Sequence, residues 1–271
     1  MPVYKNNRKE VYRMRITALT ENTSISDTIF AEHGLSLLIE TKEHNILFDM
    51  GQTELFAQNA EQIDIDLSRV DIAVISHGHY DHGGGLKHFL DINHAAPVYI
   101  NKFAFEPHYN GAEKYIGLDT ALQNSSRLIF TDGKTAIDRN LTLYSCNEKI
   151  REHNLGSFGL SVMQNGHLDP DDFRHEQYLL IEEDGKRILI SGCSHKGIMD
   201  IADWFRPDIL IGGFHFSKLP LDQDLAEYAK YLNGFDTQYY TCHCTGIDQY
   251  RFMKQYMDRL EYIACGQTII I

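Results

Sequence analysis

The segment Ser76-His77-Gly78-His79-Tyr80-Asp81-His82-Gly83-Gly84-Gly85-Leu86 sets three imidazoles and a carboxylate within six residues. It directly follows the apolar run Ile72 to Ile75, which reads as a buried strand. While the chain stays extended, side chains two residues apart project to one side, so His77, His79 and Asp81 converge on a point. As the chain turns into a helix near Asp81, His82 points back toward the same place. Imidazole with carboxylate suits Zn²⁺, Mn²⁺ or Fe²⁺. Four donors exceed what one small ion takes from a single loop, so the spacing predicts two ions. Taken singly, Asp81 reads as a helix cap, the histidines as loop residues and Gly83 to Gly85 as a tight turn; together they read as a metal centre. A phosphate-cradling glycine loop lacks its Lys or Ser/Thr partner at the required spacing.

The chain around this segment has 271 residues, 14 of them histidine, and 38 acidic against 25 basic side chains, a formal charge of −13. At 43% hydrophobic and 23% charged it can bury a large core, which excludes intrinsic disorder. No stretch concentrates Lys and Arg, so nucleic acid is not expected as a partner. Met1 to Arg15 is polar with charges of both signs and reads as neither signal peptide nor membrane anchor, and no later segment approaches the ~20 apolar residues of a spanning helix. Five scattered cysteines, an odd number, suit a reducing cytoplasm better than a disulfide framework. The expected partner is a small-molecule substrate, with the oligomeric state open.

The elements that must position the donors repeat. Leu37 to Glu40 and Ile46 to Asp49 read as a β-hairpin, and so do Leu179 to Glu182 and Ile188 to Ser191. About twenty residues after each comes a buried strand opening Arg-x-Asp-Ile and ending near a histidine: Arg69 to His77 and Arg206 to His215. Helices are expected between the paired strands at Glu54 to Gln62 and Gly197 to Phe205. Two more are expected at Leu221 to Leu232, with Gly234 as C-terminal cap, and at Gln249 to Leu260, with Asp248 as N-cap. Two duplicated halves packed face to face give a four-layer αββα sandwich in a single domain, residues 1–271, with the strand-end loops of both halves meeting along one edge.

The histidine segment resembles the metallo-β-lactamase superfamily, whose His-x-His-x-Asp-His motif is matched by His77, His79, Asp81 and His82. The resemblance implies an internally duplicated αββα fold with a one- or two-metal site at one edge, and it makes Asp49 the buried acid that orients a metal-binding histidine. A closer resemblance is to the subgroup of dihydropterin-aminobenzene-phosphate synthases and uncharacterised metal-dependent hydrolases. It rests on Glu32-His33-Gly34-Leu35-Ser36, Phe48-Asp49-Met50-Gly51, Gly192-Cys193-Ser194-His195, Gly212-Gly213-Phe214-His215 and His243-Cys244-Thr245-Gly246. His243 matches the last ligand histidine. Cys193 and His195 stand where many members carry a metal-bridging aspartate, and at least one of them is expected to ligate. The usual Gly-His-Thr motif is absent; His175 occupies about that place, with His167 as rival and Glu176 beside it as ligand or base. His33 and His215 are expected to line the pocket. Cys242 and Cys244 read as packing cysteines on the far side of an extended strand, and His44, His88, His94, His108 and His153 as surface residues.

The expected activity is a hydrolase with two divalent ions, most simply zinc, whose bridging hydroxide attacks a phosphoester, ester or lactone, with Asp81 binding the second ion and taking the proton on product departure. The closer resemblance implies a metal-dependent transferase as an alternative, and a non-catalytic metal-binding or sensing module is a third. Specificity is expected from the segment Val98 to Asn140, where Tyr99, Phe103, Phe105, Tyr109 and Tyr115 offer rings either to a pocket floor or to the core.

Overall fold

A computed structural model describes residues 13–271; the reading of Met1 to Arg15 therefore lies, through residue 12, outside the described residues. Both expected hairpins form in matching register. Ser36–Glu40 pairs antiparallel with Asn45–Phe48, Leu38 opposite Leu47, and Tyr178–Glu183 pairs antiparallel with Lys186–Ile190, Leu180 opposite Leu189. In each half a helix (Leu55–Gln62 or Ile198–Phe205) returns the chain to a strand parallel to the hairpin's second strand (Ile72–Ile75 or Ile209–Gly212). The repeat seen in the sequence is thus one strand, strand, helix, strand topology used twice.

Two seven-stranded sheets result. Alternation along the strands decides the layering, because successive side chains face opposite ways. Leu37, Ile39, Ile46, Phe48 and Val74 meet Leu179, Ile181, Ile188, Ile190 and Ile211 between the sheets. Leu38, Leu47, Ala73 and Ile75 face outward under Phe56, Leu86 and Phe89, while Leu180, Leu189 and Leu210 pack under Ile198, Ala202, Leu225 and Leu232. With both faces buried, a one-residue slip would move every strand side chain into the wrong layer, and each Leu or Ile holds its layer with about 1.5–3 kcal/mol. Helices outside and sheets inside make the four-layer αββα sandwich.

Two helices differ from expectation. Asp222, rather than an earlier residue, caps Gln223–Asn233 by accepting from the Asp224 and Leu225 N–H groups, and Gly234 ends it. The helix expected over Gln249 to Leu260 runs only Ile247–Met253; Asp248 sits inside its first turn, and Leu260–Tyr262 is an edge strand parallel to Gln238–Thr241. Met253, Met257 and Leu260 still bury in the outer core, so their helical spacing recorded burial rather than a continuous helix. A third sheet that the sequence reading did not anticipate joins His167–Pro170, Leu160–Gln164, His108–Asn110 and Lys114–Tyr115. No helix among the described residues is long and apolar enough to cross a membrane.

Candidate metal centre

The parallel strands Ile72–Ile75 and Lys186–Ile190 deliver their following loops to the same edge of the sandwich, where the halves come into contact. Gly192 is required there: a Cβ on it would collide with the Ser76 side chain. Asp49, Phe173, Ser194, His215 and His243, each within a few residues of a strand's end, hold φ between 49° and 61° without being glycine. Each such residue costs about 1–3 kcal/mol, strain of a kind that collects at functional sites.

The hydrogen bonds assign the histidine tautomers. Asp49 accepts from the Ser76 N–H, the Ser76 hydroxyl and His82 Nδ1, all at 2.7 Å. With its own hydrogen given to Asp49, Ser76 Oγ accepts from His77 Nδ1 at 2.8 Å. His243 Nδ1 donates to Asn22 Oδ1 at 2.8 Å, and Glu21 holds the His243 N–H at 2.6 Å. In the neutral rings Nε2 of His77, His82 and His243 is therefore left bare.

Those bare atoms converge. His82 Nε2 lies 3.2 Å from His243 Nε2 and 3.1 Å from Cys193 Sγ, and His77 Nε2 lies 3.2 Å from His195 Nε2. Asp81 Oδ2 stands 3.4 Å from His243 Nε2, 3.8 Å from His82 Nε2 and 3.2 Å from His33 Nε2. His77, His79 and His195 form one donor group, and Asp81, His243 and His33 another. Cys193 groups with His77 and His82 between them. Two lone pairs facing each other at this spacing repel unless a cation lies between; two nitrogens each ~2.0–2.1 Å from a tetrahedral zinc would be roughly 3.3 Å apart. The residues present thus fit divalent ions. Burial lowers the pKa of His77, His79 and His195, keeping them neutral as ligands must be. Asp81 is pushed up by burial but held well below the ordinary carboxylate range by His82, His243 and His33.

The other expected residues separate. Glu176, expected as ligand or base, is engaged in the loop itself: its carboxylate accepts from the His195 and Lys196 N–H groups and the Tyr178 hydroxyl, fixing the loop that presents Cys193 and His195. His175 is buried at the site, but its Nδ1 accepts from the Gly78 N–H at 2.8 Å, so its proton sits on Nε2, facing Asp171. His167 is exposed on the third sheet. His33, His195, His215, Cys193 and His243 line one pocket with His79 and Asp81. Cys242 is packed in the inter-sheet core as expected, but Cys244 is not its twin. His243 leaves the extended conformation and starts a 3-10 turn, which swings Cys244 into the pocket beside Cys193 and His215. His108, expected on the surface, is fully buried against Asp171; His44, His88 and His153 are half-buried and His94 is exposed.

Of the segment Val98 to Asn140, Asn110, Lys114 and Ile116 line the pocket, whereas its aromatic rings do not. Tyr99 and Phe105 pack into cores, Phe103 lies under Lys102 and Arg174, and Tyr109 meets Tyr115 edge-on. Sequence reasoning missed Glu21 and Asn22, which carry no motif of their own and reach His243 from more than 200 residues away.

An αββα sandwich with convergent His and Asp donors at one edge defines a metal-dependent hydrolase fold. Residues 30–231 match the family model of the metallo-β-lactamase superfamily, and the chain belongs to that superfamily. It is 30% identical to an uncharacterised protein of Methanocaldococcus jannaschii, covering 94% of this chain and 99% of the relative. It is 27% identical to that organism's 7,8-dihydropterin-6-methyl-4-(β-D-ribofuranosyl)aminobenzene-5'-phosphate synthase, over 97% of this chain and 98% of the relative. A crystal structure described as a metal-dependent hydrolase of the β-lactamase superfamily superposes with a TM-score of 0.81 at 29% identity, over 95% of this chain and 99% of the other.

Proposed function

We propose that the chain is a dinuclear metal-dependent hydrolase acting on a small phosphoester. The observation that carries this is the double donor set, His77, His79 and His195 on one side of Cys193 and Asp81, His82 and His243 on the other, with His79, Asp81, Cys193, His195 and His243 lining one pocket. A pair of divalent ions held there, zinc suiting imidazole and thiolate donors best, supplies an activated water at neutral pH and a Lewis acid for the substrate oxygen.

The chain's own residues do the rest. Asp49, Ser76 and Asn22 hold the ligand tautomers. Asp81, kept ionised by its histidine neighbours, suits a ligand better than the proton carrier expected of it. His33, whose side chain is 57% exposed and 3.2 Å from Asp81, is suited to pass a proton between the pocket and solvent. Lys114 and Lys218 line the pocket, and among the described lining residues Asp81 is the one carboxylate. In a chain of charge −13 such a local excess of positive charge favours an anionic substrate.

The test is hydrolysis of phosphate mono- and diesters by wild type, by His79→Ala and by chelator-stripped protein. Activity should require both the metal and His79; full activity in the stripped protein would defeat the proposal. The 27% identity to a synthase over nearly the whole chain favours one second reading, a transferase. A carbon–nitrogen coupled product from a pterin donor and an aryl ribosyl phosphate, instead of a water-derived alcohol, would select it.

A further inference from the structure

We infer that Asp171 and His108 form a second carboxylate–histidine relay, which orients His79 from behind as Asp49 orients His82. The inference rests on reading His79 as a metal ligand and adds two residues that no motif contains.

A ligating imidazole needs one bare nitrogen for the ion and an anchored N–H on the other. His77, His82 and His243 have their anchors in Ser76, Asp49 and Asn22. His79 has none: its Nε2 is buried and makes no hydrogen bond. Behind it, one donor-type atom from each of His79, His108, Asp171 and His175 lies within 4.8 Å of the others, and all four residues are buried.

The protons in this group can be placed one by one. Gly78 N–H occupies His175 Nδ1, so the neutral His175 ring carries its hydrogen on Nε2, 3.3 Å from Asp171 Oδ2. Asp171 Oδ1 accepts from the Phe173 N–H at 2.7 Å, and His108 Nδ1 donates to Oδ2 at 2.9 Å. That leaves His108 Nε2 as a bare acceptor, buried and without a partner. The His79 ring stands edge-on to it, with centroids 5.5 Å apart and planes at 81°. One buried nitrogen lacks an acceptor and its neighbour lacks a donor. A bond between them completes the chain Asp171, His108, His79 and leaves His79 Nδ1 for the ion. His175 Nε2, buried and also without a hydrogen-bond partner, faces the same carboxylate at 3.3 Å, while its Nδ1 holds the backbone of the His-x-His loop through Gly78.

The experiment titrates metal-free wild type, His108→Phe, His108→Gln and Asp171→Asn with Co²⁺, reading affinity, stoichiometry and the visible spectrum, alongside the melting temperature of each metal-free protein. His108→Phe and Asp171→Asn should weaken one of two equivalents about 10–100-fold and alter its spectrum, as loss of such an outer partner does elsewhere. Asp171→Asn should lower the metal-free melting temperature, as Asp49→Asn should, because the Asp171 carboxylate also accepts from the Phe173 N–H. His108→Gln, which restores an acceptor and should recover most of the affinity, therefore separates the relay from a general loss of stability. Two equivalents bound with unchanged affinity and spectrum in His108→Phe would overturn the relay. Loss of a third equivalent with the first two untouched would also overturn it, because the group would then hold an ion of its own. His79→Ala retaining both equivalents would instead remove the reading on which the relay rests.

Discussion

Asp49 Oδ2 stands 2.7 Å from His82 Nδ1, with both side chains fully buried, while Asp49 also takes both hydrogens of Ser76. One carboxylate thereby fixes two imidazoles, His82 directly and His77 through Ser76. Asp49→Asn keeps the shape but turns a donor toward a donor. It should lower metal affinity and turnover about 10–100-fold and cost about 1–3 kcal/mol of stability, read by metal titration and urea unfolding. Unchanged metal affinity would show that the histidines orient themselves without Asp49.

Cys193 and Cys244 are neighbours; Cys193 lies with His77 and His82, and Cys244 with Cys193 and His215. A thiolate ligand gives Co²⁺ a near-ultraviolet charge-transfer band. That band should vanish in Cys193→Ser and persist in Cys244→Ser; the opposite pattern would make Cys244 the ligand.

The layers were legible because two repeated hairpin, helix, strand units imply two sheets covered by helices, while the face that each strand turns inward, Leu37 rather than Leu38, came from the structure. The first-half donors were legible because four of them fall within six residues. The rest was not, for reasons of distance in the chain. His108 meets Asp171 across 63 residues and only through the third sheet, whose short, half-exposed strands carry little apolar pattern. Cys244 was misread because a strand period was carried past His243, where positive φ breaks the extended chain.

Lys114 and Lys218 line the pocket from separate segments, and Lys218 Nζ reaches only the Phe158 carbonyl, at 3.4 Å. Exposed charge pairs contribute about 0.2–1 kcal/mol each, so Lys114→Gln and Lys218→Gln should each raise KM for a phosphoester by up to about fivefold. The value of kcat should hold, and KM for an uncharged ester should not move. An equal rise for both substrates would mean that the lysines shape the pocket without reading its charge.

His44 offers Nδ1 to Asp71 at 3.0 Å and Nε2 to Asp138 at 2.8 Å, joining the turn of the first hairpin to two other loops. Only the imidazolium donates from both nitrogens at once. Although burial lowers its pKa, the two carboxylates outweigh that and raise it above 6.5. A group whose pKa is raised in the folded state adds stability that is complete below its unfolded pKa and is lost as pH climbs through the folded value. His44→Gln should therefore destabilise the chain at pH 5.5 by no more than about 1 kcal/mol, since the pair is partly open to solvent, and by nothing at pH 9. Urea unfolding of both proteins at the two pH values checks the sign. A gap that is equal at both, or wider at pH 9, would place the stabilisation in the neutral ring.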